Sequence, residues 1–547
     1  MRPLASLLLV LSLPIVSACA RDSSPAEHAD PPPSHYDLLI AGGTVIDGTG
    51  SAPYRADVAI AGDRIVRVSR SPLERDSATR VIDATGRVVA PGFIDLHAHL
   101  DPLLRLPGAE SAVRQGVTTA LGGPDGSSSW PLAPYLDSAQ SLGLGTNVAF
   151  LTGHNTIRRH VMGMADRAPT ADELRQMRQM VAQAMGDGAW GLSTGLKYLP
   201  GAYAKTDEVV ALAQAAADSG GIYTSHLREE GLGLIDGVAE AIEIGRRAHI
   251  PVVLTHHKVV GKPMWGASVR TLAMIDSARA AGIDVMADQY PYTATYTGIG
   301  VLVPAWAMAD GDSAFARRLR DPALRDSIVK GIVFNILNDR GGGDISRVQL
   351  AKVSWKRDLE GKTLADWARE RGMAPTPETG AKLVIDALQR GGASAIYHVL
   401  DDADVERIMR YPHTMIASDG RLVRPGEGHP HPRWYGTFPR VLGRYVRERQ
   451  VLTLEEAVHK MTGMPAKRLG LRDRGQVAEG MYADLVVFDP ATVEDRATFE
   501  NPHQYPVGID YVLVNGVAVV DGGKFTDARP GLVLRRGHDG QPVQATN

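Results

Sequence analysis

The sequence predicts an α/β protein, a TIM (β/α)8 barrel with a small β-sandwich domain built from both chain ends. Three observations support this fold class. Strand-like and helix-like patterns alternate through the middle of the chain, which is typical of a parallel sheet. Polar residues collect where the predicted strands end, as they do at the catalytic rim of such barrels. Both ends of the chain instead contain short apolar runs separated by glycine and aspartate.

The barrel is predicted over residues 91–465, where short apolar runs supply its strands. Helical patterns lie between them, and one begins with Thr170 and Glu173, the spacing of a capping box. Residues 296–411 separate the seventh run from the eighth, and we expect an insertion there that carries helices over the site. The eight predicted strands begin at Val88, Gly116, Asn147, Ala189, Ile222, Pro251, Asp284 and Thr414.

The β-sandwich is predicted from residues 36–90 and 466–538, with a tail at 539–547. In both segments, apolar runs of strand length alternate with Gly-Asp, Asp-Gly and Asn-Gly turns. Because the same pattern occurs near both chain ends, we interpret the two segments as halves of one small β-sandwich.

The N-terminus has the pattern of a bacterial lipoprotein. Arg2 precedes an apolar run that is too short to span a bilayer, and small residues lead to Cys19. Val-Ser-Ala-Cys resembles a lipobox, so residues 1–19 are predicted to be a signal peptide, with Cys19 lipidated and kept. Residues 20–35, rich in proline and serine, are expected to form a tether. The protein is therefore expected to be exported and anchored to a bacterial membrane only through this lipid.

Composition excludes several classes of function. The net charge of −3 and the absence of a basic cluster argue against a nucleic-acid partner. Cys19 is the only cysteine, so the folded body has no disulfide and no thiol nucleophile. A small-molecule substrate is the expected partner, and the sequence does not indicate an oligomeric state.

Four histidines and one aspartate follow predicted barrel strands. His97 and His99 end the first strand and share one face, because alternate side chains of a strand point the same way. His226 ends the fifth strand, His256 the sixth and Asp419 the eighth. Imidazoles and a carboxylate that converge on one rim suit zinc.

A series of short motifs connects these positions: Gly92-Phe-Ile-Asp-Leu-His-Ala-His99, Gly153-His-Asn155, Gly191-Leu-Ser-Thr-Gly-Leu196, Ser225-His-Leu-Arg228, Thr255-His-His-Lys258, Tyr290-Pro-Tyr292, Ser418-Asp-Gly420, His429-Pro-His-Pro-Arg433 and Tyr435-Gly-Thr-Phe-Pro-Arg440. Together they resemble the N-acyl-D-amino-acid deacylase (D-aminoacylase) family of the amidohydrolase superfamily. The likeness extends from about Tyr36 to Arg536. It implies an amidohydrolase-type barrel and a zinc enzyme that cleaves the amide bond of N-acyl-D-amino acids. It also implies that His154 lies near the substrate carbonyl.

The sequence departs from the family at one metal ligand. The resemblance implies a cysteine after the second strand, where this chain has Asp125. Asp125 is one candidate to replace it. The other is Lys197 at the end of the fourth strand, because many amidohydrolases carry a carboxylated lysine there that bridges two metals. We favour Lys197, and the number of zinc ions, one or two, stays open.

The reaction needs a proton carrier and groups that bind a carboxylate. Asp419 is the candidate general base and acid. Lys258 and Arg433 are candidate carboxylate ligands, because an ammonium is a point charge and a guanidinium binds in a bidentate manner. Tyr290 and Arg228 are further candidates.

Two alternative functions remain open from the sequence. One is a different amide hydrolase of the same superfamily, a prolidase-type dipeptidase or a cyclic-amide hydrolase, since such enzymes share the metal ligands and differ in the substrate pocket. The other is a non-catalytic lipoprotein that binds a ligand on an inactive barrel. The presence of all four histidines and Asp419 argues against the second.

Overall fold

The computed structural model describes residues 35–537, together with 542–543. The predicted signal peptide, Cys19 and nearly all of the tether and tail lie outside the described residues. Within the described ranges, no helix is both long enough and apolar enough to span a bilayer.

The chain begins with a group of β-strands. Two tight connections with glycines at positive φ, Gly48 (φ 85°) and Gly62 (φ 59°), turn the chain between them. The first three strands pair antiparallel in sequence, and the next two lie parallel to the first. These strands are β1 (Tyr36–Val45), β2 (Tyr54–Ala61), β3 (Arg64–Ser69), β4 (Ala78–Asp83) and β5 (Val88–Pro91).

The next strands build a parallel barrel. They are β6 (Phe93–Asp95), β7 (Ala98–His99), β8 (Val117–Gly122), β9 (Asn147–Phe150), β10 (Thr152–Gly153), β11 (Gly191–Gly195), β12 (Ile222–His226), β13 (Val252–Leu254) and β14 (Val285–Gln289). All pairs between neighbouring barrel strands are parallel. Strands β9 and β10 are one barrel strand that is interrupted at Leu151.

Helices alternate with these strands. The predicted capping box is present, because Thr170 accepts a hydrogen bond from the Glu173 amide and the Glu173 side chain accepts one from Thr170. The helices are α1 (Glu110–Val113), α2 (Leu132–Leu142), α3 (His154–Met162), α4 (Ala171–Gly186), α5 (Thr206–Ala217), α6 (Leu234–Ala248) and α7 (Ser268–Ala280).

Between β14 and the last barrel strand, the chain forms a small substructure with a core of its own. Its three strands pair antiparallel and its helices cover them. The elements are β15 (Thr295–Gly298), α8 (Asp312–Arg318), α9 (Pro322–Asn338), β16 (Val348–Lys352), α10 (Leu364–Glu370), α11 (Pro377–Gln389) and β17 (Ser394–Tyr397).

The chain then completes the barrel and returns to the β domain. The remaining elements are α12 (Asp402–Arg410), β18 (Thr414–Ile416), β19 (Gly420–Arg421), α13 (Arg433–Arg440), α14 (Leu454–Met461), α15 (Gly463–Leu469), β20 (Leu485–Phe488), β21 (Ile509–Val514), β22 (Val517–Asp521), β23 (Lys524–Phe525), β24 (Arg535–Arg536) and β25 (Pro542–Val543). A π-helical segment, Val441–Glu448, continues α13.

Three strand pairings close the fold. Strand β18 lies parallel to β14, and β19 pairs with β7, so that Arg421 lies opposite His99 and the eighth barrel strand meets the first. In the β domain, β20 pairs with β5, which joins the strands of both chain ends into one nine-stranded sheet. The predicted fold class, a barrel with a β domain built from both ends, is confirmed.

One apolar run serves both domains. The sequence predicts a single strand from Val88 to Ile94, but the structure divides it at Gly92 into β5 of the β domain and β6 of the barrel. A Cβ at Gly92 would lie 2.1 Å from Thr118 Cγ2, so only glycine fits at this crossing. The division fixes where the barrel begins relative to His97.

The barrel interior is packed with side chains. Successive residues of each strand alternate between the interior and the outer layer of helices. Ile94, Leu121, Ile222, Val253 and Met415 share an interior cluster with the loop residues Leu96 and Leu151. This core leaves the carboxyl ends of the strands as the place for polar side chains.

Candidate metal and active site

Six buried or half-buried side chains converge at the carboxyl ends of the barrel strands. His97 and His99 follow β6, and Asp125 follows β8. The other three, His226, His256 and Asp419, end or follow β12, β13 and β18. Strand geometry therefore brings together residues that are up to 322 positions apart in the sequence.

The six residues form two overlapping groups that share Asp125. In each group, one potential ligand atom from every member lies within 4.8 Å of the others. The first group is His97, His99, Asp125 and Asp419, and the second is Asp125, His226 and His256.

Asp125 lies between the histidines. Its Oδ1 is 3.4 Å from His97 Nε2 and 3.3 Å from His256 Nε2, and its Oδ2 is 3.6 Å from His99 Nε2. Asp419 Oδ1 lies 3.1 Å from His99 Nε2. Asp125 thus offers its carboxylate oxygens to members of both ligand groups.

The donor atoms of this cluster fit a metal ion. Among the described residues, neither ring nitrogen of His97 has a hydrogen-bond partner, nor does Asp125 Oδ1, although all three atoms are buried. Buried polar atoms without partners are costly, so such a group indicates a ligand that satisfies them. Imidazole nitrogen and carboxylate oxygen suit a borderline-soft divalent ion.

Three of the six residues have a strained backbone conformation. Asp125 has φ 54°, His256 has φ 37° and Asp419 has φ 46°, in a region that residues other than glycine seldom occupy. The strain is held by buried hydrogen bonds, such as that from the His256 amide to Asp288 Oδ1 at 2.6 Å. Strain of this kind is concentrated at functional sites.

The cluster favours ionised carboxylates. Burial favours a neutral acid, but the charges of His97 and His256 hold the pKa of Asp125 well below its usual value. Burial is likewise outweighed at Asp419, where Arg433 and a hydrogen bond with His99 lower the pKa. At His99, bonds with Asp125 and Asp419 overcome burial and raise the pKa to about 10.

Asp95, which precedes the His-x-His motif, supports the site from behind. Its carboxylate accepts hydrogen bonds from the His97 amide at 3.2 Å, from the Ser418 amide at 2.9 Å and from the Ser418 hydroxyl. It therefore links the backbones that carry His97 and Asp419. Burial raises the pKa of Asp95 to about 6.

Two predicted substrate groups have free donors next to Asp419. Arg433 donates from Nε to the Asp419 carbonyl at 2.8 Å, and its Nη2 lies 2.9 Å from Asp419 Oδ2. Its Nη1 and the Tyr290 hydroxyl are buried and lack partners within the described part of the chain. The guanidinium carbon lies 4.4 Å from the centre of the Tyr290 ring. Together they offer unused hydrogen-bond donors at the edge of the metal cluster.

Lys258 has its donors engaged inside the protein. Its Nζ contacts Glu230 Oε1 at 2.5 Å, His256 Nδ1 at 2.6 Å and the His256 carbonyl at 2.7 Å. Burial lowers the pKa of this ammonium. Lys258 therefore lies at the site, but its contacts are to protein groups.

Lys197 is outside the cluster. Its ammonium lies 2.8 Å from Glu229 Oε2 and 3.4 Å from Asp339 Oδ2. Its Nζ is thus engaged by two carboxylates outside the cluster, whereas Asp125 lies among the histidines. This geometry corrects the preference for Lys197 over Asp125 as the replacement for the cysteine of the family.

Two further expectations are corrected. His154 bonds through Nε2 to Glu208 at 2.8 Å and through Nδ1 to Asn155 at 3.3 Å, so it joins α3 to α5 and does not contact the metal cluster. Arg228 donates to both oxygens of Glu240 and to the carbonyls of Ala202 and Ala204. Both side chains therefore bond to protein groups outside the metal cluster, because residues that follow a strand can also pair with a neighbouring helix or loop.

Two buried charges at the site, Glu230 and Arg340, were not among the residues predicted from the sequence. Glu230 contacts His226, His256 and Lys258 and pairs with Arg340, which follows α9 in the substructure between β14 and β18. The only sequence signal was a charged triplet, Arg228 to Glu230, directly after a buried strand.

Comparison with known proteins agrees with this site. Residues 80–297 and 335–520 match the sequence model of the amidohydrolase family. D-aminoacylase of Alcaligenes xylosoxydans xylosoxydans is 39% identical over 531 residues, covering 92% of this chain and 98% of that protein. N-acyl-D-glutamate deacylase of the same organism is 38% identical over 91% of this chain and 96% of that protein.

A solved structure shows the same architecture. N-acyl-D-glutamate deacylase from Bordetella bronchiseptica, complexed with zinc and a phosphonate inhibitor, superposes with a TM-score of 0.78 at 36% identity, covering 92% of this chain and 100% of that one. The chain therefore belongs to the amidohydrolase family and is a hydrolase of its D-aminoacylase group.

Proposed function

We propose that the protein is a zinc-dependent enzyme that hydrolyses the amide bond of N-acyl-D-amino acids to a carboxylate and a D-amino acid. The observation that carries this proposal is the pair of buried, unused donors, Arg433 Nη1 and Tyr290 Oη, beside Asp419. A metal centre that adjoins an anion-binding guanidinium suits an amide substrate with a free carboxylate. The relatives named above support the D configuration.

The four histidines, Asp125 and Asp419 would hold the zinc, which would supply Lewis-acid chemistry for the amide carbonyl and for a water molecule. The donor set supports zinc because nitrogen ligands outnumber carboxylates.

The side chains move the proton and hold the substrate. Asp419 is ionised and accepts a proton at a carboxylate oxygen during attack, then donates it to the departing amine. Arg433 keeps Asp419 oriented through Nη2 and uses Nη1 for the substrate carboxylate, while the Tyr290 hydroxyl donates a second hydrogen bond.

The test is a metal count on the purified protein combined with a substrate panel. The panel contains matched N-acetyl-D and N-acetyl-L amino acids, D-containing dipeptides and cyclic amides. We expect hydrolysis of the acetyl-D compounds, lost after chelation and restored by zinc. Turnover restricted to dipeptides or cyclic amides would instead favour the other amide hydrolases of this superfamily.

Arg433→Lys is expected to weaken substrate binding. Lysine keeps the charge next to Asp419 but loses the second arm of the guanidinium, and a hydrogen bond to a charged group contributes roughly 1.5–3 kcal/mol. The KM for N-acetyl-D-amino acids should therefore rise by about tenfold or more.

Arg440→Lys is the matched control for this variant. Arg440 pairs with Asp495 at 2.9 Å and stacks 4.5 Å from the centre of the Tyr292 ring, but it has no contact with the metal cluster. An equal rise in KM in both variants would remove Arg433 from substrate binding.

We also propose that the protein is exported and anchored through lipid on Cys19. Cys19→Ser should leave it unlipidated and extractable without detergent, with unchanged melting temperature, because residue 19 precedes the folded body. Membrane fractionation of both forms tests this prediction. A need for detergent in both would contradict it.

A further inference from the structure

One buried carboxylate contacts both histidines of the second ligand group. Glu230 is 2% exposed, and its Oε2 lies 3.4 Å from His226 Nε2 while its Oε1 lies 3.3 Å from His256 Nδ1. On each ring, this is the nitrogen opposite the one that faces Asp125, since His226 Nδ1 and His256 Nε2 lie 3.7 and 3.3 Å from Asp125 Oδ1. Each carboxylate oxygen of Glu230 thus contacts one imidazole.

The tautomer of His226 that metal binding requires depends on this arrangement. A neutral imidazole that binds a metal through one nitrogen carries its proton on the other. His226 Nδ1 faces Asp125 Oδ1 and lies 2.8 Å from His256 Nε2. A metal held at His226 Nδ1 would therefore leave the proton of this ring on Nε2, where it needs an acceptor.

Glu230 is the acceptor within reach of the His226 proton, with Oε2 3.4 Å from His226 Nε2. Within the described part of the chain, His226 Nε2 has no other assigned hydrogen-bond partner. At His256, Nδ1 contacts both Lys258 Nζ at 2.6 Å and Glu230 Oε1 at 3.3 Å, and the ammonium is the donor there. Glu230 therefore pairs with the His226 proton and orients His256 together with Lys258.

Two cations hold the carboxylate in place. Lys258 Nζ contacts Oε1 at 2.5 Å and Arg340 pairs with Oε2. Arg340 comes from the substructure between β14 and β18, so that substructure is tied to the metal ligands through a single carboxylate.

We propose that Glu230 is a positioning residue that fixes the tautomer of His226 and the orientation of His226 and His256, and thereby sets metal affinity in that half of the centre. The inference rests on the metal centre of the proposed function, not on its substrate. Carboxylates that orient ligating histidines typically change metal affinity 10–100-fold when removed.

The test measures zinc dissociation constants, by chelator competition, in Glu230→Gln and Glu230→Asp. Glutamine retains one acceptor oxygen and turns an N–H toward the other imidazole. Aspartate keeps the negative charge beside Lys258 and Arg340 but shortens the reach by one methylene. We expect zinc binding to weaken about 10–100-fold in both variants.

Glu208→Gln is the matched control. Glu208 is also buried, bonds to an imidazole (His154) and pairs with a guanidinium (Arg158), but neither partner belongs to the metal cluster. It should lower thermal stability while leaving zinc affinity intact. Zinc affinity within twofold of the wild type in folded Glu230→Asp would overturn the proposal.

A measurement on the wild type decides the matter even if the variants do not fold. Ring-¹⁵N spectra of the zinc-loaded protein should show the His226 proton on Nε2, and the opposite tautomer at that ring would overturn the proposal. Hydrolysis of the substrate panel is scored separately, so failure of the proposed function and failure of the Glu230 role are distinguishable.

Discussion

Asp125→Ala is expected to strip metal from both halves of the centre and to abolish turnover. Asp125 belongs to both ligand groups, with Oδ1 facing His97 and His256 and Oδ2 facing His99. Its removal leaves each group without its shared anionic ligand. Zinc affinity should fall more than about 100-fold, beyond the effect of losing an outer partner. Zinc content after desalting, with a dissociation constant from chelator competition, measures the effect.

Lys197→Ala is the discriminating control. Its ammonium is bound to Glu229 and Asp339, so alanine there should leave zinc content close to that of the wild type. The reverse outcome, full zinc content in Asp125→Ala and loss of zinc in Lys197→Ala, would support a carboxylated Lys197 as the metal ligand. Asp125→Cys should retain zinc, because a thiolate at the position of the family's cysteine is a good zinc ligand.

The barrel and most of its ligands follow from simple patterns in the sequence. His97, His99, His226 and Asp419 each follow a short apolar run, and the carboxyl ends of parallel strands must meet at one rim. The choice between Asp125 and Lys197 does not follow in this way. It depends on a turn with left-handed backbone at Asp125, flanked by Gly123 (φ 73°) and Gly126 (φ 76°), which no periodicity predicts.

A position after a strand is not sufficient for a role at the site. His154 also follows a strand, but it opens α3 and its ring is used by Glu208 of α5. Conversely, Glu230 and Arg340 contact each other although they are 110 residues apart, and one of them comes from the substructure between β14 and β18. Their pairing depends on tertiary packing, so no local sequence pattern predicts it.

Asp419→Asn is expected to fold and to retain metal, but to lose turnover. Asparagine preserves the shape of the side chain and an oxygen within reach of His99, which the carboxylate contacts at 3.1 Å. Its amide cannot accept a proton from water and return it to the leaving amine. Loss of a general acid–base residue typically lowers the rate by roughly 10²–10⁴-fold, so kcat should fall by that amount while zinc content is kept.

The pH dependence of that loss separates proton transfer from a change in binding. Arg433 and His99 outweigh burial and hold the pKa of Asp419 below its usual value, so the wild-type carboxylate is ionised from about pH 5 to pH 8. The ratio of wild-type to variant kcat should therefore be constant over that range. If the ratio of wild-type to variant kcat falls to about one at either end of this range, or if the variant keeps near wild-type kcat throughout, Asp419 is not in the proton path.

A stability control accompanies this test. Because Asn also removes the charge that Arg433 faces at 2.9 Å, thermal unfolding of the variant must be compared with that of the wild type. A lower melting temperature with intact zinc content and a fixed kcat ratio assigns the structural effect to Arg433 and the catalytic effect to the missing proton acceptor.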